Sequence, residues 1–337
     1  MSIQPVSKTC LPQTLIGAVR YFADADTCFQ FLVSVRWPDG VTCPRCQGKK
    51  HSFLTTRNLW KCKGCKYQFS IKVGTIFENS PLGFDKWLPC IWLIANAKNG
   101  ISSCEVSRAI GVTQGTAWHM LHRIRLAMQS DSFKKFVGKF AGTVEADETY
   151  IGGKEKNKHS DKKLRKGRGA VGKTIVFGML RRAAKEEEVS QVRTFVIANT
   201  SRKTLHERIS ENVATGSEVF TDSLPTYTGL AGTYQHAIVD HTKGQYVGGK
   251  TDADNLIHTN GIENVWSVAK RGLKGTYISV EPFHLFRYLD EADFRFNSRQ
   301  DTDAERFLKA MTGTKGKRLP YAELTETYKA YFDTLTW

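Results

Sequence analysis

Two groups of residues in this 337-residue chain have the types and spacings that hold metal ions. The first is sulfur. Cys43-x-x-Cys46 and Cys62-x-x-Cys65 are two pairs with fifteen residues between them. Two residues between thiolates let both sulfurs of a tight turn face one tetrahedral ion, so the pattern reads as a zinc ribbon holding a structural Zn²⁺. Four thiolates close that shell, which leaves His51, between the pairs, as a loop histidine. The second group is acidic. In VEADETYIGG, residues 144–153, apolar and acidic residues alternate up to the pair Asp147-Glu148, and Gly152-Gly153 break the run. A second apolar run, VFTDSLPTY, reaches Asp222, and Glu263 stands further on with Asn260 three residues before it and Lys270 seven after. Carboxylates suit Mg²⁺ or Mn²⁺, and metal-assisted phosphoryl transfer needs two or three of them converging.

The elements that must position these groups follow from periodicity. Val144 and Ala146 alternate with Glu145 and Asp147, which predicts a short strand ending in the acidic pair, with Glu148 on the opposite face. TIVFGMLRR, VRTFVIANT, SEVFTDSLPTY and HAIVDHTKGQYV read as further strands, the third ending at Asp222. TLHERISENV reads as a helix, HTNGIENVWSVAKRGLKGTY begins another, and FHLFRYLDEADFRFN is an amphipathic third. Asn260, Glu263 and Lys270 share one face of the second of these. Trp266 also lies there and reads as core packing. Before this α/β region, FDKWLPCIWLIANAKNG is helical. ISSCEVSRAIGVTQGTAWHMLHRIRLAMQ then fits a helix-turn-helix, capped by Ser102 or Ser103 and by Thr113. Its second helix carries His119, His122, Arg123 and Arg125, of which His119, Arg123 and Arg125 are the expected DNA contacts. The alternative is a plain helical hairpin.

Charge supplies the partner. Lys+Arg 49 against Asp+Glu 33 leaves +16 and an isoelectric point near 9.5, which favours a polyanion, most simply nucleic acid. Lys49, Lys50, Arg57, Lys61, Lys63 and Lys66 surround the cysteine pairs and suit phosphate. The run at 154–173 is too charged to pack and reads as a loop tracking phosphates, with Lys162, Lys163, Arg165, Lys166 and Arg168 as its contacts. No secretory signal and no stretch of about twenty apolar residues is evident, so a cytoplasmic, nucleoid-associated protein without a membrane partner is expected.

The order of strands and helices is that of an RNase H-like domain. With CPRC…CKGC, VEADETYIGG, VFTDSLPTY, HTNGIENVWSVAKRGLKGTY and HLFRYLDEADFRFNSR in succession, the chain resembles the DDE-type insertion-sequence transposases that carry an N-terminal zinc ribbon. The resemblance covers about residues 20–300. It implies a multidomain α/β protein: a helical lead-in at 1–36, a zinc ribbon at 37–78, a helix-turn-helix region at 79–135, an RNase H-like (retroviral integrase-type) catalytic domain at 140–300 and a helical tail at 301–337, expected to pack on the catalytic domain. It implies Asp147 and Asp222 as the first two metal ligands and Glu263, with Lys270, as the third position, Asn260 being the other candidate. The implied activity is Mg²⁺- or Mn²⁺-dependent cleavage and strand transfer of DNA, at element ends and a target, by a homo-oligomer. A DNA-binding regulator and a nuclease without strand transfer are the alternatives.

Overall fold

The computed structural model describes residues 11–129, 138–153, 172–184, 189–240 and 247–325. It divides into two units, one of residues up to 130 together with 300–326, the other built on 131–299. In the first, α1 (Leu15–Tyr21) and α2 (Ala25–Arg36) precede a small antiparallel sheet, β1 (His51–Leu54), β2 (Leu59–Cys62) and β3 (Gln68–Phe69). So short a sheet has little core of its own. Trp60 supplies one by docking on α2: its ring stacks on Phe29 at 5.5 Å and meets Trp37 and Phe53 at 5.1 Å each. Next come α3 (Phe84–Asn96), α4 (Ser103–Ile110) and α5 (Gln114–Met128). Ser102 and Glu105 form a capping box at the start of α4. Gly111, at φ +65°, then turns the chain through a left-handed conformation that a side chain would strain, and Thr113 caps α5. Val106, Ile110, Ala117, Leu121 and Ile124 are buried along this hairpin.

The second unit is a five-stranded mixed sheet: β4 (Thr143–Ile151), β5 (Thr174–Arg181), β6 (Gln191–Ile197), β7 (Glu218–Asp222) and β8 (Gln235–Val239), in the order β6-β5-β4-β7-β8. The β6–β5–β4 meander is antiparallel, and β7 and β8 join β4 in parallel. A helix, α6 (Arg202–Asn212), makes the crossover from β6 to β7. Each sheet face carries its own apolar cluster. On one, Val144, Ala146, Phe177 and Met179 pack with Leu205 and Ile209 of α6. On the other, Val176 and Leu180 pack with Ile262, Val265 and Trp266 of α7 (Asn260–Gly275) and Leu285 and Leu289 of α8 (Leu285–Asn297). A sheet buried on both faces explains the nearly continuous apolar runs of β5 and β7.

The last described helices, α9 (Asp303–Thr312) and α10 (Tyr321–Thr325), correct two expectations. Residues 300–326 belong to the N-terminal unit, not to the sheet. Phe307, fully buried, is the reason: its ring lies 5.5 Å from Phe22, 5.7 Å from Phe31 and 5.2 Å from Trp92. The same return covers α5. Arg123 donates to the carbonyls of Leu319, Ile76 and Glu78 at 3.0 Å each, and Arg125 is 1% exposed. Neither guanidinium is open to phosphate, so the expected DNA contacts of Arg123 and Arg125 are withdrawn. His119 is half-buried, 5.4 Å from the ring of Tyr321. The exposed part of α5 is its first turn, Gln114 and Gly115.

Candidate active site and metal centre

The cysteine pairs meet as their spacing predicts. In the first turn, the Cys43 carbonyl accepts from Gln47 N–H; in the second, the Cys62 carbonyl accepts from Lys66 N–H. Gln47 and Lys66 both take positive φ, +59° and +62°. The four Sγ atoms lie within 4.8 Å of one another, with Cys43–Cys65 at 3.6 Å and Cys46–Cys62 at 3.5 Å. Zinc–sulfur bonds of about 2.3 Å require tetrahedral S–S separations of about 3.8 Å, so the cage fits a structural Zn²⁺. His51 is turned to the Lys49 carbonyl instead.

The acidic group is gathered by β4. Asp147 does not end this strand, as expected, but sits at its middle. The strand continues because β5 pairs with it through Ile151, whereas the parallel pairing with β7 runs only from Thr143↔Glu218 to Glu145↔Phe220. Asp222 is the last residue of β7. Continuing that register sets it beside Asp147 on the same face, where β4 outruns its neighbour. Leu224 N–H holds one Asp222 oxygen at 3.1 Å.

From above this face, α7 brings the remaining groups. The indole N–H of Trp266 donates to Asp147 Oδ2 at 2.9 Å. The ring reaches that far because β5 has Gly178 directly opposite Asp147; a Cβ there would lie 2.5 Å from two Trp266 ring carbons. Burial is the chief cause that lifts the Asp147 carboxyl to about 6. The Trp266 bond opposes the rise, while the charges of Asp222 and Glu263 add to it. Lys270 is lowered by its burial, and the Asp147 charge works against that. Glu263, exposed, accepts from Thr259 Oγ1 at 3.3 Å, and Asn260 is exposed in the first turn of α7. Asp147, Asp222, Glu263 and Lys270 thus share one electrostatic neighbourhood.

A half-buried carboxylate whose ionisation is opposed by like charges suits a hard divalent cation, and the donor set is all oxygen. Among the described residues, the group of three or more ligand atoms already drawn together for an ion is that of the four cysteines.

The surroundings of the site add to the sequence reading. Trp266 is more than core packing. Glu148 does face the other side, where it accepts from Tyr227 O–H at 2.5 Å, and burial foremost lifts its carboxyl to about 7. Glu145, on the Asp147 face, is 1% exposed and pairs with Arg182 at 2.7 Å. Only the lone Gly178 inside an apolar strand signalled any of this, as a mark of close approach. Lys162, Lys163, Arg165, Lys166 and Arg168 lie outside the described residues. No helix among the described residues is long and apolar enough to cross a membrane.

Comparison with known proteins agrees with the two-part layout. Residues 139–297 match the ISXO2-like transposase domain, and residues 23–68 match a transposase zinc-ribbon domain. An uncharacterized protein in transposable element ISH50 of Halobacterium salinarum is 25% identical over 268 residues, 76% of this chain and 85% of that one. An uncharacterized transposase-like protein of Haemophilus influenzae is 32% identical over 111 residues, 33% of this chain and 84% of that one.

Proposed function

This chain belongs to the ISXO2-like family of insertion-sequence transposases, and on that premise we propose that it cuts DNA at the ends of its element and transfers the freed strand to a target. The sheet unit is read as an RNase H-like catalytic domain and the α4–α5 hairpin as a helix-turn-helix. The observation that carries the reading is Asp147 and Asp222 on one face where β4 outruns β7, with α7 adding Glu263 and Lys270.

Asp147 and Asp222 would hold Mg²⁺ or Mn²⁺, with Glu263 as the third ligand. Glu263 is preferred to Asn260 because it is anionic and because its charge already acts on Asp147. The cation, when bound, supplies Lewis-acid polarisation of the phosphate and a lowered pKa for the attacking oxygen. Lys270 acts as a point charge for a phosphate. Trp266 keeps the Asp147 carboxylate aimed into the site and favours its ionised, ligating form. Burial against α7 excludes water from one side of that carboxylate. DNA ends are read by the exposed first turn of α5 and by the basic ribbon, and the active species on DNA is a homo-oligomer.

The test is strand cleavage with Mg²⁺ or Mn²⁺ on DNA carrying the element's own ends. Asp147→Ala and Asp222→Asn should abolish cleavage and leave end binding intact. Glu263→Gln should do the same while Asn260→Ala cleaves; the reverse result moves the third position to Asn260. Loss of end binding in parallel with cleavage would refute the catalytic assignment.

A further inference from the structure

We propose that Glu145, partnered by Arg182, is a positioning residue: it seats the first turn of α7 on β4 and so fixes where Glu263 stands opposite Asp147. The proposal rests on the catalytic reading above.

A carboxylate that is 1% exposed is costly to bury and must be repaid by partners. Glu145 has one for each oxygen. Arg182 Nε donates to Oε1 at 2.7 Å, and the backbone N–H of Ile262 donates to Oε2 at 2.8 Å. Ile262 is the third residue of α7, where amides lack partners inside the helix and where the helix dipole favours a negative charge. The helix needs this help. Its N-cap, Thr259, makes no side-chain cap, whereas α2, α4, α5, α6 and α9 are each capped by the residue at their own N-cap. The missing cap is delivered from a strand 117 residues earlier in the chain.

The approach depends on Gly261. A Cβ there would lie 2.8 Å from both Glu145 oxygens. Arg182 fixes the other side of the joint. Its two terminal nitrogens reach the Leu256 carbonyl at 2.6 Å, the His258 carbonyl at 2.8 Å and His258 Nδ1 at 2.8 Å. One carboxylate–guanidinium pair on the sheet therefore holds both the lead-in to α7 and its first turn. Glu263 follows Ile262 directly. Both Glu145 oxygens are engaged by donors of the joint and the group is closed to solvent, so it is read as a support of the site and not as a ligand, although it shares a strand face with Asp147.

The experiment uses the full chain and three readouts: backbone hydrogen exchange across 258–264, Mn²⁺ affinity by electron paramagnetic resonance, and cleavage rate at saturating DNA. In Glu145→Gln, exchange at Ile262 should rise at least about tenfold, and Mn²⁺ affinity and turnover should each fall about 10–100-fold, the range for residues that orient metal ligands. The KM for DNA should not move. Gly261→Ala, which changes no charge, should reproduce the pattern and serves if Glu145→Gln does not fold. Wild-type exchange and Mn²⁺ affinity in either folded variant would overturn the proposal. So would Mn²⁺ binding lost in Glu145→Gln as completely as in Asp147→Asn with α7 exchange unchanged, since that makes Glu145 a ligand. If wild-type Mn²⁺ binding ignores Asp147→Asn, the catalytic reading itself fails and this inference falls with it.

Discussion

Replacing Gly178 by alanine is the sharpest test of the site's packing, because the ordinary expectation has the opposite sign. Glycine inside a strand is destabilising by about 0.5–1 kcal/mol relative to alanine, so the substitution should stabilise wherever there is room. Here there is none. The new methyl would stand 2.5 Å from two ring carbons of Trp266 and 3.0 Å from Ile262 Cδ1. Trp266 is 4% exposed and Ile262 fully buried, so neither can swing into solvent. Overpacking of this kind costs about 1–3 kcal/mol. Moving the indole also breaks its bond to Asp147, and a hydrogen bond to a charged group contributes about 1.5–3 kcal/mol. The net expectation is a loss of about 2–5 kcal/mol, or a melting point lower by about 5–15 °C for a unit of this size. Urea unfolding followed by circular dichroism measures it. Trp266→Phe removes the clashing ring carbons and the N–H together. The double variant should therefore be more stable than the sum of the two single losses predicts, by at least about 1 kcal/mol. A Gly178→Ala protein as stable as wild type, or strict additivity in the cycle, would refute the argument.

Three further outcomes follow from the structure. Removing zinc with a chelator, or Cys62→Ser, should unfold the ribbon while leaving the sheet's thermal transition in place, since so small a module depends on its ion; calorimetry resolves the two. Phe307→Ala should destabilise the N-terminal unit by about 3–5 kcal/mol, and hydrogen exchange should quicken in α2 and α3 and not in β4–β8. Asp293 is buried and accepts from the N–H and hydroxyl of Thr194, yet burial raises its carboxyl from 3.8 to about 7. A raised folded-state value means stability is complete below about pH 4 and is lost as pH climbs to about 7. Asp293→Asn keeps an acceptor for Thr194 and should flatten that slope, gaining up to about 4 kcal/mol over wild type at pH 8 in denaturant titrations.

The zinc cage was legible in the chain because its chemistry is local. Two residues between thiolates, repeated once, leave few other uses, and the turn that gathers each pair is made by its own neighbours. The strands and helices were legible for the same reason: apolar period and capping residues such as Ser102 and Thr113 act over one or two turns. Even the co-facing of Asn260, Glu263 and Lys270 follows from helix geometry alone. What the folded molecule decided involves partners far apart. Arg123 and Arg125 have the composition of a DNA-reading helix, yet both are buried, Arg123 by bonding the carbonyl of Leu319, nearly two hundred positions later. The tail's choice of unit turned on whether Phe307 could fill a space left by Phe22, Phe31 and Trp92. Glu145 and Asp147 look alike in sequence, two acids on one strand face. Packing separates them: α7 lays an amide against the first, where Arg182 arrives from the end of β5, and sets an indole and the Glu263 charge beside the second, where β7 adds Asp222. A carboxylate's role is set by which donors and charges surround it, and those are brought together only when the sheet and α7 close on each other.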